Sequence, residues 1–281
     1  MGYCASHFPD AGNAPLPNGA RILVRTPSRR RGRRVTATRL ATNALAVTAL
    51  AATALLVPAA HPAEASVPIG NLPGWTQILH EEFSTPLDPH RWGLYAGQPG
   101  GNAHGMWSPK HVELHLSAAR LRGYRESGHF VTAGMMLNSV PQVYGKYLVR
   151  AHFDRSVGIE QVMLLWPAEG GWPPEIDFSE GSSGTRTMAT AHWSSNNEQH
   201  HAFTAVDMTK WHTYGVEWTP TRVTFTLDGR PFDTVTGAAV PHVPMSLAIQ
   251  THATGPVGGI SRAVPREVTE YIDWVSVYRY H

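Results

Sequence analysis

Residues 172–181 read WPPEIDFSEG and place Glu175, Asp177 and Glu180 within six positions, in a stretch otherwise apolar enough to be a buried strand. Three carboxylates this close repel one another and resist desolvation, so their clustering implies a use. On an extended chain residues i and i+2 point the same way. Glu175 and Asp177 therefore share a face, and Ile176 and Phe178 point the other way into a core. Glu180 has the wrong parity to join them. A β-bulge near Ser179 would add one residue to the strand and return Glu180 to the face of the other two. Two carboxylates on one face suit glycoside hydrolysis. One is ionised and attacks the anomeric carbon; the other is protonated and gives its proton to the leaving oxygen. Mutual repulsion raises one pKa and keeps an acid protonated near neutrality. Close placement on one sheet face is the retaining arrangement. Asp177, between the two, would hydrogen-bond Glu175 and help set the protonation states. Taken alone, the same spacing also fits a solvated acidic edge or a cation site.

The elements that must position these groups are strands. In GKYLVRAHFD, Tyr147, Val149, Ala151 and Phe153 share one face, and Leu148, Arg150 and His152 the other. RVTFTLDGRPFDTVT reads as a hairpin whose Asp228-Gly229 supplies the positive φ angles of a tight turn. WHTYGVEWTP, MSLAIQTHA and YIDWVSVYRY alternate in the same way, Gly and Pro punctuate at short intervals, and no amphipathic helix stands out. The pattern predicts one all-β domain, sandwich or barrel. All nine tryptophans lie after residue 65, too many for the core alone. Trp107, Trp166, Trp172 and Trp193 sit within three residues of Gly, Pro or Asn, where loops meet strands. A flat aromatic face there can stack on the C–H face of a sugar ring.

The chain has 281 residues with 23 basic and 21 acidic side chains, but the charge is unevenly spread. Residues 1–65 hold eight arginines against Asp10 and Glu64, so residues 66–281 carry 15 basic and 19 acidic groups and a net charge of −4. That balance gives no support to nucleic-acid binding. The segment SRRRGRR, the apolar run Leu40–Val57 and the small residues Ala63 and Ala65 make a secretory signal expected to be cut after Ala65; an uncleaved anchor is the competing reading. The paired arginines also fit twin-arginine export. Residues 1–23 look like neither signal nor domain and fit a translation start near Val24 or Val35. Cys4, the only cysteine, lies in this part, so the exported domain, 66–281, has no disulfide and must rely on its core. It is expected to be a monomer with no membrane association once the signal is removed.

Several segments, in order along 66–281, resemble family 16 of the glycoside hydrolases. LLWPAEGGWPPEIDFSEG resembles the family's E-[ILV]-D-x-x-E strand with its Trp-Pro-rich approach. HEEFSTPLDPHRWGLY (80–95) and GGNAHGMWSPKHVELHLSAARL (100–121) look like its opening strand and the loop and strand that follow. YGKYLVRAHF (144–153) is similar to another family strand, with Leu148 where Glu is usual. WHTYGVEWTPTRVTFTLDG and YIDWVSVYRY match two more. The resemblance implies a jelly-roll sandwich of two antiparallel sheets with a concave substrate cleft. It makes Glu175 the nucleophile, Glu180 the acid/base and Asp177 the assisting carboxylate. His192 falls where family members carry a His beside the catalytic strand, and Trp166, Trp172, Trp107 and Asn102 fall at substrate-contacting positions. The chemistry implied needs no cofactor; a structural calcium is implied near positions such as Glu82 and Asp273. The substrate implied is a β-1,3- or mixed β-1,3/1,4-glucan. A transglycosylase, an agarase- or galactanase-like hydrolase, and a non-catalytic lectin-like module remain as alternatives on the same sandwich.

Other signals carry less. HVELH could set His111, Glu113 and His115 on one strand face as a metal triplet, but it is not H-E-x-x-H on a helix. GSSG lacks the spacing of a nucleophile elbow. His200-His201 reads as part of a polar loop.

Overall fold

The computed structural model describes residues 67–99, 105–126, 129–156, 158–182, 184–254 and 267–281. The expected export signal and Asn102 lie outside the described residues. In chain order the strands are β1 (Trp75–Glu81), β2 (Trp92–Leu94), β3 (Met106–Trp107), β4 (Val112–His115), β5 (Ala118–Glu126), β6 (His129–Thr132), β7 (Gly134–Leu137), β8 (Gly145–Phe153) and β9 (Ile159–Pro167). They continue with β10 (Glu175–Gly181), β11 (Arg186–Trp193), β12 (Glu198–Ala205), β13 (His212–Trp218), β14 (Arg222–Leu227), β15 (Arg230–Thr236), β16 (Met245–Ala253) and β17 (Glu267–Tyr280). Two short 3-10 turns, Pro109–His111 and Gly237–Ala239, are the only helical elements among the described residues.

The strands form two sheets. The smaller runs β12-β11-β10-β9-β16-β7-β2, with the carboxylate strand near its middle, and the larger follows the path β15-β14-β13-β8-β17-β5-β6-β3. All pairs are antiparallel except the short β3–β6 pair. The core lies between the sheets. From the smaller sheet Met163, Leu165, Ile176, Phe178, Ala189, Ala191, Leu247 and Ile249 meet Tyr147, Val149, Ala151, Val216 and Val277 of the larger. The alternation read from GKYLVRAHFD is therefore borne out. So is the hairpin: Leu227 pairs with Arg230, and Asp228 and Gly229 take φ of 50° and 74°, the twist that suits a two-residue loop. Leu148, at the position where the family pattern has Glu, packs with Val67, Trp75, Trp274 and Tyr278 on the far side of the larger sheet. The apolar side chain is explained by that cluster.

His200-His201 is not a loop. Both residues lie in β12, an edge strand, and their side chains diverge. His200 Nε2 lies 2.6 Å from Asp233 Oδ2, and His201 Nδ1 lies 3.2 Å from Thr190 Oγ1. The HVELH triplet is also dispersed. His111 sits in the 3-10 turn before β4, fully buried, stacked on Tyr124 with ring centroids 3.9 Å apart and 3.2 Å from Glu126 Oε2. Glu113 is paired with Arg122, and His115 is exposed. These three side chains have separate structural employments.

Candidate active site

The smaller sheet turns one face to the core, and its other face carries the carboxylates. Against β9, Asp177 pairs with Leu164 and Ser179 with Met163, so one residue of β10 is extra. Against β11 the register slips over the same interval, Asp177 pairing with Thr190 and Glu180 with Met188. This is the expected bulge. Phe178 joins the core, and Ser179 also turns inward, where its Oγ accepts from Gln161 Nε2 at 2.8 Å and lies 2.9 Å from Thr187 Oγ1. Two consecutive inward residues restore Glu180 to the face of Glu175 and Asp177. All three carboxyl residues are buried, at 1%, 3% and 4% exposure.

Hydrogen-bonding side chains surround them. Trp172 Nε1 donates to Glu175 Oε2 at 2.7 Å, and Thr190 Oγ1 donates to Glu180 Oε2 at 2.6 Å. His192, directly opposite Glu175 on β11, places Nε2 3.2 Å from Asp177 Oδ2 and Nδ1 2.8 Å from Asn197 Oδ1. Since Thr190 spends its hydrogen on Glu180, the His201 Nδ1 facing it acts as donor, and a chain His201–Thr190–Glu180 results. Burial is the first cause holding Glu175 well above the usual carboxylate range, with the charge of Asp177 second; His192 and the Trp172 hydrogen bond oppose it. Burial followed by the charge of Glu180 raises Asp177 likewise, against a hydrogen bond from Glu175. Glu180 is raised by burial and pulled back by Thr190 and then His192. Burial thus raises the proton affinity of all three, and Asp177 responds to the charge of Glu180 as Glu175 does to that of Asp177.

Sequence reading missed a second acid–base pair on this face. Glu160 of β9 and His252 of β16 lie directly opposite each other, with Oε2 and Nε2 3.5 Å apart. Burial and then the charge of Glu180 push Glu160 up to about 8, and burial pushes His252 down to about 4. Both are neutral at pH 7, so the floor beside Glu180 gains no further charge. The signal was the parity of one Glu in an otherwise apolar strand.

The expected aromatic residues gather on the same face. Trp107, Val162, Leu164, Trp166 and Ala248 form one buried cluster, against which Tyr95, Met136 and Trp172 pack. Trp107 is 3% exposed and its Nε1 donates to the Thr251 carbonyl at 3.0 Å; Trp166 is 7% exposed. These two rings support the wall of the site. Trp172, half-buried, lies nearly parallel to Trp166 at 6.5 Å and 13°, and is the ring of the three that can meet a ligand.

For metals, one ligand atom each of Glu175, Asp177 and His192 lie within 4.8 Å of one another. Hydrogen bonds from Trp172 Nε1 to Glu175 Oε2 and between His192 Nε2 and Asp177 Oδ2 already engage these groups. The calcium positions fit poorly. Asp273 Oδ2 accepts from Arg150 Nε at 3.0 Å, so a guanidinium already supplies the positive charge there, and Glu82 is exposed. No step below involves a metal.

Known proteins resemble this chain in sequence and fold. The family model "Glycosyl hydrolases family 16" matches residues 100–276. An endo-1,3-1,4-beta-glycanase of Rhizobium meliloti (strain 1021) is 28% identical over 160 residues, covering 54% of this chain and 34% of its own length. A beta-glucanase of Fibrobacter succinogenes is 26% identical over 165 residues, covering 53% of this chain and 47% of its own. The chain thus spans between a third and a half of these curated relatives. Among solved structures, the endo-beta-1,3-glucanase of Pyrococcus furiosus superposes with TM-score 0.68 at 18% identity, over 76% of this chain and 99% of that one. The laminarinase catalytic domain of Thermotoga petrophila gives 0.65 at 19%, over 73% and 98%. The chain belongs to family 16 of the glycosyl hydrolases.

Proposed function

We propose that the chain is a secreted, retaining endo-β-glycosidase acting on β-1,3- or mixed β-1,3/1,4-glucan, with 66–281 as the exported catalytic domain. The observation that carries this reading is the bulge in β10, which brings Glu180 onto the buried face of Glu175 and Asp177. The names of the relatives support the choice of glucan. No helix among the described residues is long and apolar enough to cross a membrane.

In the first displacement the Glu175 carboxylate attacks the anomeric carbon, forming a glycosyl ester. Glu180 gives its proton to the departing oxygen as the glycosidic bond breaks. In the second, Glu180, now ionised, takes a proton from water. The oxygen of that water attacks the same carbon and the ester bond to Glu175 breaks. Asp177 keeps a proton in its hydrogen bond with Glu175, so the nucleophile is ionised when the sugar arrives, and Trp172 N–H steadies its second oxygen. Thr190 occupies one oxygen of Glu180, which leaves the acidic hydrogen on the other, towards the substrate.

The test is release of reducing ends from laminarin, barley β-glucan, agarose and carrageenan by the wild-type chain and by Glu175→Gln. Activity on a glucan that is lost in the variant is the expected result. Activity confined to agarose or carrageenan would replace the substrate, oligosaccharides longer than the starting material would indicate transfer, and binding without turnover would make the protein a lectin.

A further inference from the structure

The ligand-facing side of the smaller sheet extends past the carboxylates to its edge. On β12, Gln199, His201, Phe203 and Ala205 stand opposite His192, Thr190, Met188 and Arg186 of β11, and so share the face of Glu175, Asp177 and Glu180. Phe203 is 54% exposed. Arg186 leans over it with Cζ 4.7 Å from the ring centroid. Among the described residues, that guanidinium has no carboxylate partner. A large aromatic on an edge strand invites unwanted pairing and gains nothing from the core. An unpaired arginine held against it adds no stability through an ion pair. Together they have the composition of a sugar site, an apolar ring face beside a polar, orienting group.

Position supplies the occupant. Glu180 pairs with Met188, and Met188 with Phe203. Two interstrand steps put Phe203 about 10 Å from Glu180 across the sheet. On the opposite flank of β10 lie Trp166 and Tyr95, while Trp172 stands at the start of β10 between Trp166 and His192. A polysaccharide crossing the strands therefore meets Trp172 at the carboxylates and Phe203 farther out on the β12 side. Arg186 places a cation on this flank, and its planar fork matches a carboxylate.

We propose that Phe203 and Arg186 form a distal subsite. The phenyl ring stacks on the C–H face of a pyranose outside the reacting position, and Arg186 takes a carboxylate substituent on that sugar. The proposal rests on the reading of the site as an endo-glycosidase and adds the chemical class of its substrate, a glucan bearing acidic groups.

The experiment compares the wild-type chain, Phe203→Ala and Arg186→Gln on three substrates: barley β-glucan, the same polymer with a fraction of its primary hydroxyls oxidised to carboxylates, and a short aryl β-glycoside filling only the positions at the carboxylates. Phe203→Ala should lower kcat/KM on both polymers by roughly tenfold, the size of a lost half-buried ring contact, and leave the aryl glycoside unchanged. Arg186→Gln should lower it on the oxidised polymer alone, again by about tenfold. Equal loss on polymer and aryl glycoside would mean that Phe203 only supports the fold, and an Arg186→Gln effect alike on both polymers would remove the acidic sugar; either overturns the proposal. Wild-type inactivity on all three substrates would instead overturn the endo-glycosidase reading on which it rests.

Discussion

Thr190→Val tests the acid/base assignment at one atom. Valine keeps the β-branched shape that suits the interior of β11 and removes only the hydroxyl, in a side chain that is 1% exposed. The hydroxyl donates to Glu180 Oε2 at 2.6 Å and favours the ionised form of that carboxyl, opposing the burial that raises its pKa. A hydrogen bond to a charged group contributes about 1.5–3 kcal/mol, and 1.36 kcal/mol corresponds to one pH unit. With the donor gone Glu180 holds its proton to higher pH, so the alkaline limb of kcat/KM should move upward by about one pH unit or more. The acidic limb belongs to Glu175 and Asp177; Thr190 stands opposite Asp177 but gives its hydrogen to Glu180, so this limb should stay in place. The assay is reducing-end release across pH 4–10 for wild type and variant. An unmoved alkaline limb, a downward shift, or both limbs moving together would refute the assignment of Glu180 as the acid whose ionisation Thr190 controls.

Three further outcomes follow from the same contacts. Glu175→Gln and Glu180→Gln should each abolish turnover, yet raise the melting temperature at pH 8. Their carboxyls have raised pKa values in the fold, so the stability present below the ordinary carboxylate range is lost as pH rises towards those values; a lower melting temperature in either variant would contradict this. Glu270, fully buried in β17 with neither carboxyl oxygen hydrogen-bonded, is held well above the usual range by burial. Glu270→Gln should therefore gain on wild type progressively from pH 5 to pH 9 in thermal melts, and a pH-independent difference would argue against a buried acid there. Gly134 has no room for a Cβ because the Tyr95 ring lies against it. Gly134→Ala should cost about 1–3 kcal/mol by overpacking, seen as a lower denaturation midpoint, and should loosen the Tyr95–Trp107 contact.

What could be read from the sequence was what depends on neighbours in the chain. The parity of Glu175 and Asp177, the bulge needed for Glu180 and the Asp228-Gly229 turn are all local. The relay through Thr190 and His201 was not legible, because it depends on the register between β11 and β12, and EQHHAFTA lacks the apolar alternation that marks a strand. As an edge strand it has little to bury, so its polar residues read as loop. The Glu160–His252 pair depends on the meeting of β9 and β16, far apart in sequence. Trp107 misled for the opposite reason: its Gly and Ser neighbours suggest a surface position, while its ring turns down onto the sheet.

The cost of clustering three carboxylates has a physical reason once their surroundings are known. Among the described residues no Lys or Arg is paired with Glu175, Asp177 or Glu180; the groups that reach them are an indole, a hydroxyl and an imidazole. A guanidinium at 3–4 Å would have stabilised the cluster and pulled every carboxyl down into its ionised form, leaving no proton to give at neutral pH. The indole and the hydroxyl bring no charge of their own, and burial still holds the carboxyls above the usual range. The destabilisation that results is the same quantity as the raised proton affinity. An arginine introduced beside Glu180, as in Met188→Arg, should accordingly stabilise the fold at pH 8 and suppress hydrolysis by ionising the acid. If such a variant kept full activity at pH 8, the raised proton affinity would not be what the cluster is for.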